Sequence, residues 1–336
     1  MKKVLFFLIS LLVGIGLLAW TTNFIGWEKI ILAFKVFSFR AGMIVLSLTV
    51  LANLVRSWRW QTILRNQGYR VPIFRVLEYY LSGNALAFFM PMVIFGGEIF
   101  RGYDLKEKYA MPWSKSIASV VIDRISEFTI YTVATILGLV FFVANANLPS
   151  YRIDIIIFSV FFLIIALIGL FYFKSFKKES IVRFFLKKFN AQKLDGAETA
   201  IEVEKEIFRY FKPNKKIMWQ GFGLSFLAEL IFLARTFLLI LFLGKNISVF
   251  SAVSIGAFSS LALILPIPAA LGSHDFVQSF VFTALGLGAG TGAAYVLVIR
   301  GAEMILALAG LFFFFRLGIH FLQSFLLEKI GKLFNH

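Results

Sequence analysis

Residues 76–97 read Val-Leu-Glu-Tyr-Tyr-Leu-Ser-Gly-Asn-Ala-Leu-Ala-Phe-Phe-Met-Pro-Met-Val-Ile-Phe-Gly-Gly. The run is mostly apolar, yet Gly83, Asn84 and Pro91 interrupt it, and Gly96-Gly97 leads into Glu98. Both flanks are basic. Arg56–Arg75 carries five Arg and no acid, and Arg101, Lys106, Lys108 and Lys115 follow on the other side. Basic loops stay cytoplasmic, so a segment with cations at both ends enters and leaves on one face. That predicts a re-entrant hairpin, whose irregular backbone must be buried in protein or line a wet cavity. The alternative, a single kinked span, would send basic loops to the outer side.

The rest of the chain agrees with a membrane setting. Of 336 residues, 60 % are hydrophobic and 15 % charged, the mean hydropathy is +0.85, and 42 Phe exceed the 34 Lys and Arg combined. A soluble domain carries about 25 % charge. The expected class is an all-α polytopic membrane protein with about six full transmembrane helices. These are Val4–Trp20, Ala41–Val55, Ile117–Asn145, Ile153–Phe173, Ile217–Leu243 and a last span after Gly286–Gly292 reaching Phe315. Val4–Trp20 resembles a signal peptide but has no small-residue cleavage site, so it reads as a first span. A second broken segment, Val249–Leu285, contains Pro266-Ile267-Pro268 and Gly272-Ser273-His274-Asp275. It must enter from the outer side. Two hairpins from opposite faces make the layout of an inverted repeat around a mid-membrane site. The chain therefore divides into a membrane half (1–173), a cytoplasmic insert (174–216) and a second membrane half (217–336). The insert holds 12 basic and six acidic residues and reads as amphipathic surface helices, with Ile181, Phe184, Phe185 and Phe189 on one side, or, as the simpler and favoured alternative, as a solvated linker with lipid-facing aromatics.

The net charge of +16 is mainly an orientation signal. With both termini in the cytoplasm, 26 Lys and Arg lie inside, five outside, and Arg124, Arg235 and Arg300 within the membrane. The expected location is the cytoplasmic (inner) membrane, the expected partners are membrane lipids with anionic headgroups, homodimerisation is left open, and nucleic acid is excluded. The absence of Cys rules out disulfides and thiolate metal sites, and three scattered His argue against a metal centre. No P-loop, Gly-x-Ser-x-Gly or dinucleotide motif is present, so no cofactor and no enzymatic activity are expected.

Charges inside a bilayer cost a few kcal/mol and normally face a partner within the protein. Three pairs are spaced i,i+3 and share a helix face: Glu98 with Arg101, Arg124 with Glu127, Arg300 with Glu303. Asp123 and Glu127 share a face as well, Glu229 is near the middle of its helix, and Arg235 needs a partner on another helix. Inert internal pairing accounts for any one of these about as well as function does; the whole set beside two broken helices reads better as a polar path. The guanidinium fork suits phosphate. His274-Asp275 reads as a hydrogen-bonded pair at a helix start, with a proton relay as the alternative.

An ordered set of motifs carries a resemblance. Arg56-Ser57-Trp58-Arg59-Trp60, Asn84, Pro91, Gly96-Gly97-Glu98-x-x-Arg101, Leu105, Ser116, Asp123-Arg124, Glu127, Pro266-x-Pro268 with Leu271-Gly272 and an acid, and Arg300 occur in that order. The chain resembles the transmembrane region of lysylphosphatidylglycerol synthase/flippase proteins (the MprF-type flippase domain) and its stand-alone relatives. It departs from their pattern at Ala269-Ala270, where Gly is common, and at Asp275, where Glu is usual. The resemblance implies movement of an anionic or isoprenoid-linked lipid between leaflets, with Glu98, Arg101, Asp123, Arg124 and Arg300 along the path. No synthesis of lysyl-lipid is expected, since the chain ends about 20 residues after its last span. The candidate substrate-binding set is Arg56, Asn84, Glu98, Arg101, Asp123, Arg124, Glu127, Asp275, Arg300 and Glu303. The alternatives are an ion- or proton-coupled transporter of a small anionic solute and a non-transporting membrane scaffold.

Overall fold

A computed structural model describes residues 12, 15–16, 18–20, 22–23, 25–89, 96–145, 159, 162, 166, 168–177, 180–189, 196–212, 215–262 and 267–334. All regular structure among them is helical: α1 (Trp27–Phe34), α2 (Phe39–Asn66), α3 (Ile73–Phe89), α4 (Gly96–Tyr109), α5 (Trp113–Asn145), α6 (Ile181–Lys188), α7 (Ala197–Tyr210), α8 (Lys216–Phe242), α9 (Val249–Ala262), a 3-10 turn (Pro268–Ala270), α10 (Ser273–Ala284) and α11 (Ala289–Phe334). Four stretches are long and apolar enough to cross a membrane: Phe39–Asn66, Trp113–Ala144, Lys216–Phe242 and Ala289–Leu317. The expected spans Val4–Trp20 and Ile153–Phe173 lie largely outside the described residues, as do Pro91 and Pro266.

Helix α2 corrects one boundary. The sequence pattern ends a span at Val55 and starts a cytoplasmic loop at Arg56, but the helix runs unbroken to Asn66. Ser38 Oγ caps its start by accepting from Ala41 N at 3.2 Å. The helix continues because Arg56 and Arg59 find carboxylates on α5, which removes the reason for a cation to leave the bundle. Three arginines assigned to cytoplasmic loops (Arg56, Arg59, Arg101) therefore join Arg124, Arg235 and Arg300 inside it.

Both broken segments fold back on themselves. In the first, Arg101 of α4 stacks over Tyr80 of α3 at 4.6 Å and Lys108 over Tyr79 at 5.7 Å, so α4 returns alongside α3. In the second, Gln278 of α10 donates to Ile255 O at 3.1 Å and Ser259 Oγ at 2.7 Å on α9. With 14 and 12 residues, α9 and α10 measure about 21 and 18 Å, less than the roughly 30 Å of a bilayer core. The hairpin mouths lie at opposite ends of the bundle. Val71, Tyr79, Leu105, Met111 and Leu317 pack at one end. Val45, Leu139, Leu243 and Leu287 pack together at the other.

The two halves exchange arms. The first arm of each hairpin lies against the span that follows the hairpin of the other half: α3 on α11, α9 on α5. Glycine permits each contact. A methyl on Gly310 would strike the Leu81 carbonyl and Ala85; a methyl on Gly138 would strike the Val253 carbonyl and Ala257. In both cases the partners are four apart on the hairpin arm, one turn of helix. Ser254 Oγ strengthens the second seam by donating to Gly138 O at 2.7 Å. The spans α2 and α8 cross at the centre, with Arg59 facing Ser225 and Thr49 facing Arg235.

The insert is less detached than the sequence implies. Ile207, Phe208, Tyr210 and Phe211 at the end of α7 pack with Ile63, Ala118 and Ile122. Glu204 of α7 accepts from Ile181 N at 2.7 Å and Val182 N at 2.9 Å, capping α6. Phe184, Phe185 and Phe189 are exposed.

Candidate functional site

Asp123 on α5 is the centre of the first charged cluster and has no exposed surface. Arg59 Nε of α2 donates to its Oδ1 at 2.7 Å, and Arg101 Nη2 of α4 to its Oδ2 at 3.0 Å. Arg101 is further held by the Trp60 ring, whose centroid is 3.9 Å from its guanidinium carbon, in addition to Tyr80. A buried charge is tolerable when paired and hydrogen-bonded. This inner group is buried, and Arg101 keeps Nε and Nη1 without a hydrogen-bond partner among the described residues.

One turn along α5, Glu127 gathers three arginines. Arg59 Nη2 is 3.2 Å away, Arg124 Nη1 3.0 Å, and Arg56 Nε 3.1 Å, the last close but poorly aligned for a hydrogen bond. Arg56 also donates to the Tyr131 hydroxyl. Arg124 extends the chain to Glu98 at the start of α4, with Nη2 at 2.7 Å and Nε at 2.9 Å from Oε1. This outer group is reachable: the side chains of Arg56, Arg124 and Glu98 keep 17, 25 and 20 % exposure.

A second cluster repeats the pattern in the other half. Arg300 Nη2 of α11 donates to Asp275 Oδ2 of α10 at 2.7 Å and to Ala270 O at 3.2 Å. The same Asp275 oxygen also caps its own helix by accepting from Gly272 N at 3.0 Å. Arg235 of α8 lies 3.6 Å from Glu303 of α11. Each half thus carries an arginine on the span before its hairpin, an Arg-x-x-Glu on the span after it, and an acid at the start of its returning hairpin arm. Arg56, Glu127, Arg124 and Glu98 correspond to Arg235, Glu303, Arg300 and Asp275.

A neutral polar track leads from Arg235 of the second cluster along α2 to Asn53, one helical turn from Arg56, and on to Asn84 of α3. Asn84 Nδ2 donates to Asn53 Oδ1 at 3.1 Å, Asn53 Nδ2 to Thr49 O at 2.8 Å, and Arg235 Nη1 to Thr49 Oγ1 at 3.1 Å. Near the second cluster, a cavity of about 300 Å³ bounded by Ile15, Leu18, Ile25, Ile30 and Leu297 has Asp275 in its wall.

All ten candidate residues therefore fall in two clusters and the track between them, but the local pairs do not all form. Glu98 reaches Arg124 instead of Arg101, and Arg300 reaches Asp275, with Glu303 left to Arg235. Of the three i,i+3 pairs, Arg124–Glu127 forms. The reason is that the hairpin arms return to within hydrogen-bonding distance of α5 and α11 and outcompete same-helix partners. Arg101 and Asp123 are sealed, so their geometry suits holding the site. Sequence reasoning passed over Arg59 as a site residue. Its signal was the Arg-Ser-Trp-Arg spacing, which places Arg56 and Arg59 on one helix face. His274 is buried, with Nε2 unpartnered among the described residues. It is Asp275, next in the chain, that holds Arg300. Among the described residues no group of three or more His, Asp or Glu could hold a metal ion.

Comparison with known proteins follows the same outline. The chain is 25 % identical over 317 residues to a UPF0104 membrane protein of Methanocaldococcus jannaschii, covering 91 % of both chains. It is 25 % identical over 303 residues to one of Pyrococcus horikoshii, covering 85 % of this chain and 88 % of the other. A third, from Methanothermobacter thermautotrophicus, is 23 % identical over 271 residues, covering 76 and 78 %. The family model described as the lysylphosphatidylglycerol synthase TM region matches residues 7–310, which takes in both hairpins and both clusters. By that match, this multi-pass membrane protein belongs to the family of the lysylphosphatidylglycerol synthase transmembrane region.

Proposed function

We propose that this protein is a flippase-like lipid transporter, moving an anionic phospholipid or isoprenoid-linked lipid between leaflets. The observation that carries the reading is the pair of matched arginine–carboxylate clusters, one per half, with a polar track leading from the second toward the first along α2. A phosphate entering one cluster would displace Glu98 from Arg124; leaving through the other, it would displace Asp275 from Arg300. Charge-assisted bidentate contacts of this kind suit a phosphodiester.

The rims favour a lipid over a free solute. Phe128 next to Glu127, and Met304 and Ile305 next to Glu303, are exposed apolar residues, so the charged groups emerge among lipid-facing side chains. A lipid can present its headgroup there while its chains remain in the bilayer. In this reading the mouth of the α3/α4 hairpin and helices α6 and α7 face the cytoplasm. The protein acts as a carrier without covalent chemistry or a cofactor.

The experiment is headgroup translocation of labelled phosphatidylglycerol in proteoliposomes. Arg124→Ala and Arg300→Ala proteins that remain folded are expected to slow at least about tenfold, the effect of losing a charge-assisted contact of 1.5–3 kcal/mol. Wild-type rates in both variants would rule out the two-cluster path.

A further inference from the structure

One buried carboxylate is left over. Glu229, at the middle of α8, is 6 % exposed, and its Oε2 has no hydrogen-bond partner among the described residues. Unlike Glu98, Asp123, Glu127, Asp275 and Glu303, it has no arginine nitrogen within 4.0 Å among those residues. Its electrostatic neighbours are Arg56 on α2, Glu127 and Tyr131 on α5, and Arg235 on its own helix. Those two arginines each belong to one cluster and already face another carboxylate, Glu127 and Glu303. Glu229 therefore stands between the two clusters, with a claim on both and a firm bond to neither.

Charge counting gives it a role. The first cluster sets Arg56, Arg59, Arg101 and Arg124 against Glu98, Asp123 and Glu127, an excess of one positive charge. The second sets Arg235 and Arg300 against Asp275 and Glu303 and is balanced. An ionised Glu229 supplies the missing negative charge. When an anionic headgroup arrives, the same interior holds one negative charge too many. Uncompensated charge in a low-dielectric interior is costly, and protonating a carboxyl is the ordinary escape. Glu229 is the carboxyl with least to lose, because the others are tied to arginines.

We propose that Glu229 is a proton-binding site at the centre of the bilayer, taking up one proton for each anionic headgroup that occupies the arginine clusters. The substrate class rests on the transport reading above; the proton site does not. Proton and anion then bind together, so anion affinity strengthens as pH falls, by at most about tenfold per pH unit while Glu229 starts ionised.

The test uses purified protein in detergent, weakly buffered, with a pH indicator and short-chain dihexanoyl phosphatidylglycerol as the probe. Wild type should take up about one proton per bound lipid. Glu229→Gln should bind the lipid with no uptake and a flat pH dependence, and Glu229→Asp should restore uptake. Equal uptake in Glu229→Gln, or lipid binding by wild type without uptake, overturns the proposal. An infrared titration separates the two readings. A carboxyl C=O band that titrates in wild type and is missing from folded Glu229→Gln supports the proton site even if wild type binds no phosphatidylglycerol, a result that would sink the transport reading alone. No such band in wild type, or its persistence in the variant, refutes the proton site.

Discussion

At the scale of single residues, the charged clusters divide by access. Arg59, Arg101 and Asp123 hold one another in a dry interior, and removing one member strands the charge of another. Arg59→Ala should cost about 3–5 kcal/mol, the range for breaking a buried pair from one side. The check is thermal unfolding in detergent, where a small shift would mean that water or another cation replaces it. Arg124 is different. With a quarter of its side chain accessible, Arg124→Ala should be tolerated structurally and show its effect in translocation. Asp275 acts on two levels, closing the N-terminus of α10 and holding Arg300, and either use alone would account for an acid at that position.

At the scale of elements, the decisive features are two short seams and one strained tip. Gly310 against Leu81 and Gly138 against Val253 let hairpin arms touch spans of the opposite half. Gly310→Val should force the α3 arm outward and cost about 1–3 kcal/mol by overpacking. Unfolding of the variant measures this, and an unchanged midpoint would mean that the seam is slack. At the tip of the second hairpin, Ala269 and Ala270 hold φ of 51° and 49°, a left-handed conformation that a Cβ opposes by about 1–2 kcal/mol per residue. Arg300 donates to the carbonyl of Ala270, so the strain sits against the second cluster. Ala270→Gly should raise the midpoint of unfolding through relief of that strain, and a lowered one would contradict it. The sequence showed these elements as interruptions by Pro and Gly. It did not show which span each arm would meet, because a seam between helices depends on backbone approach and carries no periodicity of its own.

At the scale of the whole molecule, two span–hairpin–span halves interlock in opposite directions, bringing two charged clusters within reach of one central carboxylate. The chain has no cysteine, so orientation is open to single-cysteine labelling. Lys108→Cys, near the first hairpin's mouth, should react with an impermeant maleimide only from the cytoplasmic side. Lys245→Cys, at the opposite end, should react only from outside. Labelling of both from one side would break the two-faced arrangement. Composition, apolar run length and interruptions by Pro and Gly determined that this is an all-helical membrane protein with two broken segments, and the distribution of Lys and Arg sets the expectation that they enter from opposite faces. Those are properties of transfer into a bilayer, which acts on each segment separately and can be read from each segment. Which carboxylate each arginine holds, why Arg56 and Arg59 lie inside, and why Glu229 has no arginine within ion-pair distance among the described residues were decided by the tertiary structure. Pairing in a low-dielectric interior is a competition among all the groups that folding brings within a few ångströms. Residues 98 and 124, or 275 and 300, become neighbours only when the hairpins close.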